Sequence, residues 1–117
     1  MYQIYKAEKL VMPLSPRLVD KEGFLRELSD WNVDLAHELA KQDNIELSAD
    51  HWEVINIVRA YYQQYQISPV NRVLVKIIQK QLGPEKGKSI FLMRLFSGKP
   101  AKLVSKIAGL PKPNNCD

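Results

Sequence analysis

Between Gly23 and Gly83 the chain contains no other glycine and only one proline, Pro69. A stretch so poor in helix breakers favours long helices, because glycine and proline are the residues that interrupt them most strongly. The periodicity agrees. Ser29 or Asp30 is placed to cap a first helix that stacks Trp31, Leu35 and Leu39 at i, i+4 and i+8. After QDNIEL, Ser48 can cap a second helix with Trp52, Ile55, Val58, Tyr62 and Tyr65 on one face. Ser68-Pro69 reads as a cap followed by proline at the first helical position. The third helix that starts there carries Val70, Val73, Leu74, Ile77, Ile78 and Leu82, and Gly83 ends it. A fourth helix is expected over Ser89–Phe96. A fifth runs from Pro100 to Ala108 and stops at Gly109.

The flanks are different. RLVDKEGFL has apolar pairs around Asp20–Gly23 and reads as a small β-hairpin, preceded by an irregular lead-in over residues 1–19. In the closing LPKPNNCD, Pro111 and Pro113 rule out a helix, so residues 109–117 are expected to form a mobile arm. With 117 residues, 45% of them hydrophobic, the chain can build one core. The expected fold is mainly α (small α+β): one domain over 1–117, a helical bundle with a helix-turn-helix-like core, an N-terminal hairpin and a flexible C-terminal arm. No apolar run is long enough to span a membrane, and MYQIYKAEKL lacks a secretory apolar segment, so a cytoplasmic protein is expected. A single cysteine excludes an internal disulfide and any zinc site that needs several thiolates. His37 and His51 read as helix residues, and neither a metal nor a cofactor is implied.

Charge divides the chain. Residues 1–58 hold 6 Lys/Arg and 11 Asp/Glu, whereas residues 59–117 hold 11 Lys/Arg and only Glu85 and Asp117 as acids. The basic half is therefore expected to meet an anionic partner, such as RNA or an acidic protein surface, or else to be a solvated face. Arg72, Lys76 and Lys80 make a cationic stripe on the third helix, and Lys102, Lys106 and Lys112 lie near the arm. With the second helix, that stripe is compatible with a helix-turn-helix nucleic-acid module. GPEKGKS has only Pro84, Glu85 and Lys86 before its Gly-Lys-Ser, one residue short of a phosphate-binding loop, and reads as an interhelical turn.

No other set of residues has catalytic spacing. Cys116 remains. A lone cysteine says little about chemistry by itself, since reactivity depends on surroundings. Its placement says more: from Gly109, an extended arm carries it about 25 Å, enough to enter a pocket in another protein. Asp117 and the terminal carboxylate should raise its pKa, so activation must come from basic residues or from a partner.

DKEGFL with WN soon after, LSADHWEVI, the Tyr-Tyr/Ile-Ser-Pro/Asn-Arg region and PAKLVSKIAGLPKPNNC resemble the TusE/DsrC family of sulfur carriers, from Asp20 to Cys116. The resemblance implies a helical fold with a mobile arm and a persulfide carried on Cys116. It further implies that the DsrC branch, which works with dissimilatory sulfite reductase, has a second cysteine eleven positions earlier. Here that position is Ser105. The TusE-type branch is thereby favoured: a sulfurtransferase that acts as a carrier rather than a stand-alone catalyst. It takes sulfur from a TusBCD complex and passes it to the tRNA thiolase MnmA for wobble-uridine 2-thiolation. A sulfite-reductase accessory subunit is the alternative within the family. Ser105, near the end of the fifth helix, is expected to lie within reach of the arm.

Overall fold

The computed structural model describes residues 12–114. Most of the lead-in, and Asn115, Cys116 and Asp117, lie outside the described residues. The helices are α1 (Val33–Gln42), α2 (Ala49–Tyr65), α3 (Asn71–Leu82), α4 (Ser89–Phe96) and α5 (Pro100–Ile107), preceded by a 3-10 turn at Leu28–Asp30. The protein is mainly helical.

At Asp20–Gly23 the chain makes a tight turn closed by one antiparallel bridge, Val19 to Leu25. The Asp20 carboxylate explains the tightness: its Oδ1 accepts from the amides of Glu22 (2.9 Å) and Phe24 (3.0 Å). Those local bonds hold the turn without a longer ladder.

Two helix starts differ from expectation. Asn32, not Ser29 or Asp30, caps α1, its Oδ1 accepting from Leu35 N at 2.7 Å. Trp31 is therefore extended backbone ahead of the helix, free to turn its indole elsewhere. Likewise α3 begins at Asn71, with Val70 at the N-cap position and so no side-chain cap, while the Ser68 hydroxyl is engaged with Pro111. The Ser48 cap of α2 is present as a reciprocal box with His51. Ser48 N donates to His51 Nδ1 at 3.0 Å, so the ring proton is on Nε2, which donates to Leu95 O at 2.8 Å. His51 thus joins the start of α2 to the end of α4.

Helix α5 organises the packing, touching each of the other four helices. At 8 residues it is too short to persist alone, so tertiary burial must hold it. Ala101, Val104 and Ile107 are fully buried against Leu39, Ile55, Val58, Leu74, Ile78, Leu92 and Phe96. Each such aliphatic or aromatic side chain contributes about 1.5–3 kcal/mol. Asn71 ties α3 to α5 as well, its Oδ1 accepting from Ala101 N at 3.0 Å in the first turn of α5. Tyr65 departs from the buried face expected for α2: it is 55% exposed and packs on Tyr61, ring centroids 4.7 Å apart. GPEKGKS forms the turn between α3 and α4. Gly87 there lies so close to α3 that a Cβ would meet Gln79 at 2.3 Å. Among the described residues no helix is long and apolar enough to cross a membrane.

Candidate functional site at the root of the C-terminal tail

Cys116 lies outside the described residues, so the site is built from the segment that leads to it. Pro111 and Pro113 lack an N–H, which leaves carbonyls as the main handles on this segment. The last carbonyls of α5 also need partners, because no further helical turn supplies them. Both demands are met by side chains from distant parts of the chain. Trp31 Nε1 donates to Ile107 O at 2.8 Å. The Arg59 guanidinium donates to Ala108 O at 2.6 Å. Ser68 Oγ donates to Pro111 O at 2.6 Å. Leu110 N returns to Ser105 O at 2.9 Å, and Leu110 and Pro113 are buried.

These donors support one another. Arg59 lies over the Trp31 ring, its central carbon 3.7 Å from the ring centroid, and burial pulls the guanidinium pKa down without removing its charge. The Trp31 ring meets Trp52 edge-on at 6.5 Å, and Trp52 in turn meets His37 at 5.6 Å. His37 and His51 are both engaged in packing or capping. Gly109, with φ +75°, presses against the same indole. The mobile arm expected from residue 109 is therefore held against the body as far as Pro113.

The lysines near the arm are also engaged. Glu22 pairs with Lys112 at 3.1 Å and with Lys102 at 3.2 Å. The hydrogen bond from Lys112, then that from Lys102, holds the Glu22 carboxyl below the ordinary carboxylate range. Lys106 runs its stem past Gly23 and reaches Asp43 at 3.3 Å, with its side chain only 11% exposed. Lys86 bridges Asp50 (3.1 Å) and Glu53 (2.7 Å) in the same manner, and the bond to Glu53 leads in raising its pKa. Acids of the first half thus neutralise lysines of the second, and Lys102, Lys106 and Lys112 are not freely presented. The stripe on α3 differs: Arg72, Lys76 and Lys80 are exposed and have no acidic partner among the described residues. No Asp or Glu occurs between Glu53 and Glu85.

Ser105 is fully buried, and among the described residues its Oγ has no hydrogen-bond partner. It faces the core, so the tail cannot reach its side chain without displacing what covers it. Among the described residues no group of His, Cys, Asp and Glu could hold a metal ion. Sequence reasoning missed Trp31, Arg59 and Ser68 as a set. A signal existed for Arg59, which stands at i+4 from Ile55 and i+7 from Trp52, on the buried face of α2.

Comparison with known proteins places this geometry. The family described as DsrC like protein matches residues 15–116. Sulfurtransferase TusE of Buchnera aphidicola subsp. Acyrthosiphon pisum is 53% identical over 97 residues, covering 83% of this chain and 85% of that protein. Sulfurtransferase TusE of Yersinia pseudotuberculosis is 50% identical, covering 83% and 90%. The solution structure of Allochromatium vinosum DsrC is similar with a TM-score of 0.77 at 52% identity, over 85% of this chain and 88% of that one. The oxidized gamma-subunit of the dissimilatory sulfite reductase from Archaeoglobus fulgidus gives a TM-score of 0.73 at 36% identity, over 85% and 90%. With a family match that runs through Cys116 and relatives at half identity over most of their length, this chain belongs to the DsrC-like family.

Proposed function

We propose that this chain is a cytoplasmic sulfur-relay protein of the TusE type that carries a persulfide on Cys116. The observation that carries the reading is the family match through residue 116 in a chain whose only thiol is that cysteine. Relatives named sulfurtransferase TusE at 50–53% identity support it. The Cys116 thiolate attacks the outer sulfur of a donor persulfide; the donor sulfur–sulfur bond breaks and the donor cysteine leaves as a thiolate. The acceptor repeats the step on Cys116 and returns it to the thiolate. One sulfur–sulfur bond breaks as another forms, so no external oxidant or reductant is needed, and one thiol suffices.

The donor in this reading is a TusBCD-like complex, and the acceptor an MnmA-like tRNA thiolase with its tRNA. Docking would fall to the α3 stripe, since Lys102, Lys106 and Lys112 are paired within the chain. Arg72, Lys76 and Lys80 rise by about 6 Å per step along the helix, which suits a row of phosphates or carboxylates. Binding by this stripe should weaken with salt.

A second reading, an accessory subunit of a sulfite reductase, draws on the 52% identity to Allochromatium DsrC. Ser105 opposes it, because a two-thiol cycle has no second thiol here. Intact-mass measurement after incubation with a persulfide donor tests the first reading. One reductant-sensitive sulfur should appear on the last peptide and be absent from Cys116→Ser; transfer that survives this substitution would end it.

A further inference from the structure

We propose that Trp31, Arg59 and Ser68 are positioning residues for the sulfur-carrying thiol, fixing the point from which the last residues of the chain depart. The inference rests on the carrier reading for its purpose and on geometry for its substance.

Capping explains only part of what is seen. The carbonyls of Val104, Ser105 and Lys106 are already taken by the amides of Ala108, Leu110 and Gly109. Trp31 and Arg59 take the next two, Ile107 O and Ala108 O. The Ser68 bond to Pro111 O lies beyond any need of the helix and runs from a buried serine to a residue of the tail. Holding it orders a segment that would otherwise keep its conformational entropy. Ser68 stands two residues before Val70, the N-cap position of α3, so its hydroxyl serves the tail and not the helix start. Three donors from separate parts of the sequence, at positions 31, 59 and 68, thus converge on 107–111.

The consequence is a shorter reach. From the buried Pro113, three residues lead to Cys116, a reach of at most about 11 Å. Released from Gly109 the same thiol would sweep about 25 Å. The accessible volume grows as the cube of reach, so release dilutes the thiol about tenfold at a docked partner's active site. A partner must therefore bring its own thiol to the surface around Ser68, Glu22 and Lys112.

The test compares wild type with Ser68→Ala, Ser68→Thr and Arg59→Gln in three measurements on the full chain. Iodoacetamide alkylation of Cys116 reports a small reagent that needs no positioning. Single-turnover transfer from a saturating, sulfur-35-loaded TusBCD-like donor complex reports delivery. The width of the distance distribution between nitroxides at Cys116 and at an introduced Gln64→Cys reports reach. Alkylation should stay within about twofold in every variant. Transfer should fall in Ser68→Ala and Arg59→Gln, by up to about tenfold where release is complete, while the distribution broadens, and Ser68→Thr should restore both. If Arg59→Gln fails to fold, the Ser68 pair decides. Transfer unchanged despite a broadened distribution would overturn the proposal, as would transfer lost without broadening. If wild type itself accepts no sulfur from the donor, the carrier reading fails, and the distance widths still decide whether these side chains hold the tail.

Discussion

Gly109→Ala is the substitution whose cost can be worked most directly from the structure. Gly109 has φ +75°, in the left-handed region, where an alanine costs about 1–2 kcal/mol in backbone strain. Space is the larger problem. A Cβ there would lie 2.3 Å from Trp31 Cδ1, 2.7 Å from Cγ and 2.9 Å from Cβ, against the ordinary carbon contact of about 3.5–4.0 Å. The indole must move by more than about 1 Å, an overpacking cost of about 1–3 kcal/mol. That movement stretches the 2.8 Å bond from Trp31 Nε1 to Ile107 O past its useful range, a further loss of about 1 kcal/mol. Together these amount to about 3–6 kcal/mol, or about 12–24 °C in Tm for a domain of this size. Equilibrium urea unfolding followed by tryptophan fluorescence measures it. Gly98→Ala, where nothing lies within 4 Å of an added Cβ, is the blank and should stay within about 0.5 kcal/mol of wild type. If Gly109→Ala loses only the 1–2 kcal/mol or so of backbone strain, the indole does not pack on Gly109 and the reasoning is refuted.

Ser105→Ala removes a buried hydroxyl that has no partner among the described residues, so stability should hold or rise by about 1 kcal/mol with persulfide loading unchanged. A clear loss of stability in thermal unfolding would reveal a bond that this hydroxyl makes. Lys106→Glu sets a second carboxylate beside Asp43 in a nearly closed site and should cost about 3 kcal/mol or more, lowering Tm well before any effect on docking can be read. A variant as stable as wild type would show that the ion pair holds nothing. Glu22 has a depressed folded pKa, so its contribution is present above the unfolded carboxylate value and is lost as pH falls through the folded one. The Tm advantage of wild type over Glu22→Gln should therefore shrink between about pH 6 and about pH 3; a constant difference would exclude the charge pairing as its source.

Much of the helical framework is legible in the residues themselves. Gly83 and Gly109 mark helix ends, Ser48 caps α2, and α4 and α5 lie within a residue of their expected bounds. Those features are local: capping, proline and glycine act within a turn or two of where they stand. Even so, the caps of α1 and α3 were not legible, since several polar residues compete for each start and only the tertiary environment chooses. Ser68 illustrates why. Its hydroxyl reads in the sequence as the cap of α3, yet the helix starts later, with Val70 at the N-cap position, and the hydroxyl donates to Pro111.

Cys116 stands out in the sequence because it is the only thiol, set behind two prolines. What holds the segment before it does not stand out, because Trp31, Arg59 and Ser68 meet it across 76, 49 and 43 residues of chain. Charge shows the same division. Composition gives an acidic half and a basic half, and suggests that the basic half faces an outside partner. Folding instead brings Glu22 to Lys102 and Lys112, Asp43 to Lys106, and Asp50 and Glu53 to Lys86. Coulombic pairing depends on distance in space, over a few ångströms, and not on position along the chain. The sequence could therefore determine how much charge there is and which residue carries the thiol. Only the packed structure decided that the arm-side lysines are spent internally, that Arg72, Lys76 and Lys80 are left facing solvent, and that the tail is held as far as Pro113.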